Sequence, residues 1–252
     1  MSQLRAITSH GKRVKRNSAL SGMNGVCLAE LLIGMAAGVI VLATVLETFD
    51  IVRQHVTKQQ RDLTHQQDLR LGLAVFEQEA RLATAESIVI ANPDEFQFRA
   101  NINAQRTTTA GDVAQGQSVL AVQDGSGWGE GKVVAVCGLR VCELHRLARA
   151  GQRTLLTLAE PVQSAFPAGA SVEVRNHVVC YTKHDERGLL RLMRMVDGGV
   201  GTLVGGLERA RFAYRDDRGR ATSEPSQVKR VVVEIKSNRS THHVVREVSL
   251  RS

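Results

Sequence analysis

Two cysteines lie close enough along the chain for covalent chemistry with each other. Cys137 and Cys142 flank a Gly-Leu-Arg-Val stretch, and each adjoins a short run typical of a strand. Two strand ends around a tight loop favour a disulfide, which would pin the turn. Cys180 lies further along and is able to pair with either cysteine, so two free thiols or a different pairing remain alternatives.

Two glycine-rich stretches resemble nucleotide-binding loops but lack the required spacing. In "GSGWGEGK", residues 125–132, Ser126 occupies the place of the first glycine of a phosphate loop, and Val133 follows the lysine instead of Ser or Thr. In "GGVGTLVGG", residues 198–206, Val204 stands where a dinucleotide fold needs its third glycine. The first stretch predicts a surface turn and the second a tight connection.

His242 and His243 are candidate metal ligands, but neighbouring residues on a strand point to opposite faces. No set of carboxylates or cysteines accompanies them, and no Ser/His/Asp or Cys/His grouping is evident from sequence order. We therefore expect no metal, no cofactor and no enzymatic activity.

Glu30 is a carboxylate inside an otherwise apolar segment. Residues 26–46 form a run of 21 mostly apolar positions, about 30 Å long as a helix and sufficient to cross a bilayer. Five basic residues and no acid precede the run, which predicts a cytoplasmic N-terminus and a body across the membrane. A carboxylate in a span is unfavourable and usually functional.

Other targeting signals fit this segment less well. A cleaved secretory signal needs small residues after its apolar region, and no clear A-x-A cleavage site follows the apolar region here. A lipoprotein signal places its apolar stretch before the cysteine, whereas Cys27 precedes it. A plain signal anchor explains everything except Glu30.

Residues 25–30, Gly-Val-Cys-Leu-Ala-Glu, resemble the class III signal of type IV prepilins. The resemblance implies that a prepilin peptidase cuts after Gly25 and methylates Val26, and that Glu30 is the fifth residue of the mature chain. The family more often has phenylalanine at Val26, threonine at Cys27 and a larger aliphatic residue at Ala29. In a filament, the Val26 amine of one subunit would pair with Glu30 of a neighbour and set the axial register.

The following residues predict a long helix and then a sheet. No proline precedes Pro93, and apolar residues at helical spacing predict one helix over about residues 26–87. Strand-like runs separated by turn signals follow. They lie at residues 95–99, 118–122, 133–137, 143–147, 155–158, 171–183, 188–195, 209–214, 228–236 and 244–250. The fold class is α+β, with the helix packed on an antiparallel sheet.

The C-terminal part resembles the larger minor pilins and pseudopilins, the PilW-like and general-secretion J-type proteins. "VVCYTKHDERGLLRLM" carries this resemblance together with "LERARFAYRDDRGR" and "VKRVVVEIK". It implies a minor pilin that takes part in type IV pilus assembly or initiation, with a J-type pseudopilin of type II secretion as an alternative. The implied partners are the prepilin peptidase, other minor pilins or pseudopilins, the major pilin and the inner membrane.

The expected organisation is a cleaved leader at 1–25, a transmembrane and filament-core helix at 26–48, its amphipathic continuation at 49–92, and a periplasmic β-rich domain at 93–252. The expected location is the bacterial inner membrane, which the chain crosses once. Incorporation into the pilus is a further location that the resemblance allows.

The rival class is a membrane-anchored periplasmic module that binds nucleic acid. Its candidate residues are Lys229, Arg230, Lys236, Arg239, Arg246 and Arg251. They alternate with acids and lack an aromatic platform, which favours a solvated sheet face. The formal charge of +8 falls to +3 without the leader, because 28 basic residues then face 25 acidic ones. Nucleic acid is therefore the weaker expectation.

Overall fold

The computed structural model describes residues 28–186, 188–238 and 243–251, and the chain divides into two units, residues 1–58 and 59–252. The helix α1 spans Leu28–Ala80. The strands are β1 Ile88–Asn92, β2 Glu95–Ala100, β3 Arg106–Thr108, β4 Val119–Ala121, β5 Val133–Cys137, β6 Cys142–Arg146, β7 Leu155–Thr157, β8 Ser171–Val174, β9 Asn176–His184, β10 Leu190–Val196, β11 Gly199–Arg215, β12 Arg230–Ser237 and β13 His243–Ser249. Single 3-10 turns lie at Ala85–Ser87 and Pro225–Gln227. The predicted combination of a long N-terminal helix and an antiparallel sheet is confirmed.

The main sheet has seven strands, in the order β1-β2-β9-β10-β11-β12-β13, and every pairing within it is antiparallel. Strand β11 is long enough to pair with two different strands along its length. Its first half pairs with β10 and its second half with β12, and Leu207 is the residue at which the pairing changes over.

Residues 101–175 form an insertion between the neighbouring strands β2 and β9. This insertion contains a four-stranded sheet, β3-β8-β5-β6, and a two-stranded sheet, β4-β7. It has a core of its own, in which Trp128, Leu120 and Phe166 are buried. The sequence predicts most of its strands but gives no indication that they form a separate core.

Within the second unit, the last turns of α1 pack on the main sheet through one buried stripe. Leu73, Phe76 and Ala80 recur at helical spacing and join the core formed by the sheet. The ring of Phe76 lies 5.7 Å from that of Phe212 and 6.4 Å from that of Phe96, between centroids. Aromatic pairs at these distances add to the stabilisation from burial.

The helix ends seven residues before the predicted Ser87. The N–H groups of Leu82 and Ala83 donate to carbonyls three residues back, which tightens the last turn. Ser87 Oγ then accepts from the Thr84 N–H and donates to the Thr84 carbonyl. Such side-chain bonds compete with the helix. Residues 88–92, predicted to continue the helical spine, instead form edge strand β1.

Other predicted boundaries also differ. The predicted strand 171–183 is divided at Arg175 into β8 and β9, which belong to different sheets. The predicted tight connection over 198–206 is wrong beyond Gly198, because Gly199 begins β11. Strands β1 and β3 were not predicted, and β1 lies where the helical spine was expected to continue.

Candidate functional site

The predicted processing residues Gly25 and Val26 lie outside the described residues. Glu30 lies in the first turn of α1 with its side chain exposed. By length and composition, α1 is able to cross a membrane. Within residues 28–58 every side chain is exposed, including the large apolar ones. They are Leu28, Leu31, Leu32, Ile33, Met35, Val39, Ile40, Val41, Leu42, Val45, Leu46, Phe49, Ile51, Val52 and Val56.

An exposed carboxylate at the start of an apolar helix has two roles open to it. It complements the positive end of the helix dipole, which is a modest local stabilisation. It is also available to pair with a cation from another chain once the helix is in an apolar environment. The second role gives the carboxylate a partner where water is excluded.

Two glycines on the same helix leave room for close approach by a neighbour. Apart from its own turn of helix, a β-carbon on Gly34 or Gly38 would meet no atom of the described residues within 4 Å. Helices in an apolar environment pack closely where small residues meet. The arrangement is compatible with packing of this helix against other helices.

The predicted bond between Cys137 and Cys142 is present. The two cysteines are paired residues at the ends of β5 and β6, with Cα atoms 4.1 Å apart. Cys180 is buried as a free thiol on β9, so the alternative pairings are not adopted. Burial, aided by the charge of Glu79, raises the pKa of Cys180 to about 12. A thiol with that pKa is inert near neutral pH.

The glycine-rich stretch 125–132 belongs to the fold of the insertion. A β-carbon on Gly125 would lie 2.6 Å from the carbonyl oxygen of Gln152, and Trp128 from the same stretch is buried. The close backbone approach explains the glycine. As expected, the stretch forms a turn.

Two of the six basic residues considered for nucleic acid form ion pairs with acids. Lys236 Nζ lies 2.7 Å from Glu208, and Arg230 Nη1 lies 2.9 Å from Glu247. Arg239 lies outside the described residues. His243 begins β13, while His242 is likewise outside the described part. Among the described residues, no group of three or more His, Cys, Asp or Glu is placed to hold a metal ion.

A polar cluster around Asp197 was not anticipated from the sequence. Asp197 lies in the turn between β10 and β11 with a φ of 48°. Its carboxylate accepts from Lys132 Nζ at 2.6 Å, Asn176 Nδ2 at 2.8 Å and the His177 N–H at 2.8 Å. Burial would raise the pKa of Asp197, but these hydrogen bonds outweigh it and lower the pKa. The cluster ties the insertion to the main sheet.

Comparison of the chain with family models, with curated proteins and with solved structures found no match. The assignment of function therefore depends on the residues and the geometry described above.

Proposed function

We propose that the chain is a pilin-like structural subunit, a minor pilin that takes part in the assembly or initiation of a type IV filament. The observation that carries the proposal is Glu30, a carboxylate in the first turn of an apolar helix, five residues after Gly25. A carboxylate there is unfavourable in lipid alone, but it acquires a partner if the neighbouring subunit presents a free amine.

In this proposal the leader, residues 1–25, is removed by a prepilin peptidase and Val26 becomes the methylated N-terminus. The chain then crosses the inner membrane once with its N-terminus in the cytoplasm. The β-rich part lies in the periplasm, where an oxidising compartment supports the bond between Cys137 and Cys142. The partners are other minor pilins and the major pilin, and the role is structural, without catalysis.

Exposed apolar side chains along residues 28–58 support this role. A single-pass anchor needs about 20 apolar residues, whereas α1 is 53 residues long. Glycines without neighbours within 4 Å leave space for sister helices, and Glu30 supplies the register.

Replacement of Glu30 tests the proposal. In a filament, Glu30→Leu leaves the neighbour's amine without a partner, which costs about 3–5 kcal/mol and reduces association at least a hundredfold. We expect normal membrane insertion and normal cleavage but loss of co-purification with the other pilins. Glu47→Leu, a second exposed acid on α1, is the matched control and should retain association. Undiminished association of Glu30→Leu would contradict the proposal.

A further inference from the structure

Exposed large apolar side chains outside α1 are concentrated in one region of the described chain. There are seven of them: Val89, Leu139, Val141, Leu144, Leu155, Val200 and Val245. Three of the seven, Leu139, Val141 and Leu144, lie on the β5–β6 hairpin, and Val89 lies on β1. Val89 and Leu144 line one cleft between β1 and this hairpin. Apolar side chains that cluster at a surface indicate an interaction site, whereas isolated ones do not.

The cleft lies between edge strand β1 of the main sheet and the β5–β6 hairpin of the insertion. It has a volume of about 340 Å³, and Val89, Leu144 and the disulfide line it. Strand β1 is irregular at Val89, since Ile88 pairs with Phe98 while Ile90 pairs with the adjacent Gln97. Such a bulge re-aims the extra side chain, which accounts for the exposure of an apolar residue here.

The hairpin tip is held in a fixed form. The disulfide joins the last residue of β5 to the first of β6, and the Gly138 N–H donates to the Val141 carbonyl at 2.9 Å. Between them, Leu139 is 99% exposed. An apolar side chain on a rigid tip loses little conformational freedom on binding. The free energy gained by burying it therefore contributes to affinity.

The charges around this region are mainly basic. Arg99 lines the cleft and Arg140 adjoins Leu139, and neither has a carboxylate partner among the described residues. Arg175 also lines the cleft but is paired with Glu173, and Glu86 is the one acid of the lining. The complement of this surface is an apolar group flanked by negative charge.

We propose that this hairpin surface, comprising Val89, Arg99, Leu139, Arg140 and Leu144, binds an extended segment of another protein in which apolar side chains alternate with carboxylates. Strand β1 is the terminal strand of the main sheet, so an extended segment finds backbone groups to pair with there. The contact is small, which predicts reversible binding.

The shape of the surface favours a polypeptide over other occupants. Val89 and Leu144 lie in a concave cleft that a flat bilayer surface does not reach. The lining carries an acid and no aromatic side chain, whereas proteins that bind single-stranded nucleic acid use aromatic stacking in a basic groove. The inference does not depend on the function proposed above.

Selection from a displayed library of random twelve-residue peptides tests the proposal, with the full chain held in nanodiscs of neutral lipid. We expect enriched peptides to combine apolar residues with Asp or Glu. Their affinity should fall about tenfold or more for Leu139→Ser, which removes a side chain without internal contacts, and for Arg99→Glu. Leu155→Ser, at an exposed position on β7, is the matched control and should bind normally.

The double variant Cys137→Ser/Cys142→Ser adds an independent readout, because loss of the crosslink should weaken binding of the same peptides. Three results would overturn the proposal. They are failure to enrich any sequence, enriched peptides without acids, and binding insensitive to Leu139→Ser. Three other outcomes would refute a peptide as the occupant and assign the surface to another one. They are capture of phosphatidylglycerol vesicles, capture of DNA and self-association of the chain, each dependent on Leu139.

Discussion

Both carboxylate oxygens of Glu79 accept hydrogen bonds from Arg194 Nε, at 2.9 and 2.7 Å, and so join α1 to strand β10. The Glu79 side chain is 8% exposed and that of Arg194 29% exposed. The hydrogen bonds that Arg194 donates to Glu79 raise the pKa of Arg194, so the guanidinium remains charged. This pair fixes the orientation of the last turns of the helix on the main sheet.

Glu79→Leu should destabilise the second unit because it leaves Arg194 with no partner. Removing one member of a buried pair costs about 3–5 kcal/mol, and the partial exposure of Arg194 places the expected loss near the low end. Thermal unfolding of the full chain in detergent, followed by circular dichroism, should show a midpoint lower by roughly 6–12 °C. Glu77→Leu is the control, since Glu77 pairs with the exposed Arg81 and should cost under about 1 kcal/mol. Equal losses for the two variants would contradict the account.

Gly72→Ala should loosen the helix from the sheet. A β-carbon at Gly72 would overlap the Leu203 carbonyl and lie 2.6 Å from Val204 Cγ2, so the backbones must separate. Alanine favours a helix by about 1 kcal/mol over glycine, which makes any net destabilisation a direct sign of this contact. Hydrogen exchange of residues 72–80 should accelerate. Gly38→Ala, with no neighbour within 4 Å, is the control and should leave the exchange of residues 72–80 unchanged. Unchanged exchange in Gly72→Ala would refute the close approach.

Asp197 should make the stability of the second unit dependent on pH in the acid range. Its pKa is lower in the folded chain than the unfolded value of about 3.9, so its contribution is fully present above that value. The contribution is lost as the pH falls through the folded pKa. In Asp197→Asn, the decline in unfolding midpoint below about pH 4 should be shallower than in wild type. Asp217→Asn, at an exposed position nearby in the sequence, should retain the wild-type decline. An unchanged slope in Asp197→Asn would contradict the assigned role.

Cys180 should resist alkylation while the chain is folded. With a pKa of about 12, the thiol has about one part in ten thousand as thiolate at pH 8, and burial blocks access as well. Peptide mapping after treatment with iodoacetamide at pH 8 should find Cys180 unmodified in the native chain and modified after denaturation without reductant. Cys137 and Cys142 should react only once a reductant is added. Labelling of Cys180 in the native chain would show that β9 is not packed as described.

Sequence patterns predict the elements that are locally determined. The long helix follows from apolar residues at helical spacing in a stretch without proline, and the disulfide follows from two cysteines at the ends of adjoining strands. The end of the helix was missed because it depends on the local bonds between Thr84 and Ser87, which compete with an otherwise continuous pattern.

Contacts between distant parts of the chain were not predictable from the sequence. Gly72 interrupts the helical pattern without apparent reason until its approach to Leu203 is known. The pairing of Glu79 with Arg194 joins residues 115 apart, and nothing local to either residue indicates the other. The glycines of 199–206 indicate a turn, yet Gly199 and Gly201 pair with β10 at the start of strand β11.

The most direct test of the proposed function is the intact mass of the chain produced with an active prepilin peptidase. The account predicts a mature chain that begins at Val26 and carries an N-terminal methyl group. Without the peptidase, or with Gly25→Trp, the leader should remain attached. A full-length chain of 252 residues, recovered from cells in which the same peptidase processes a known prepilin, would contradict the account.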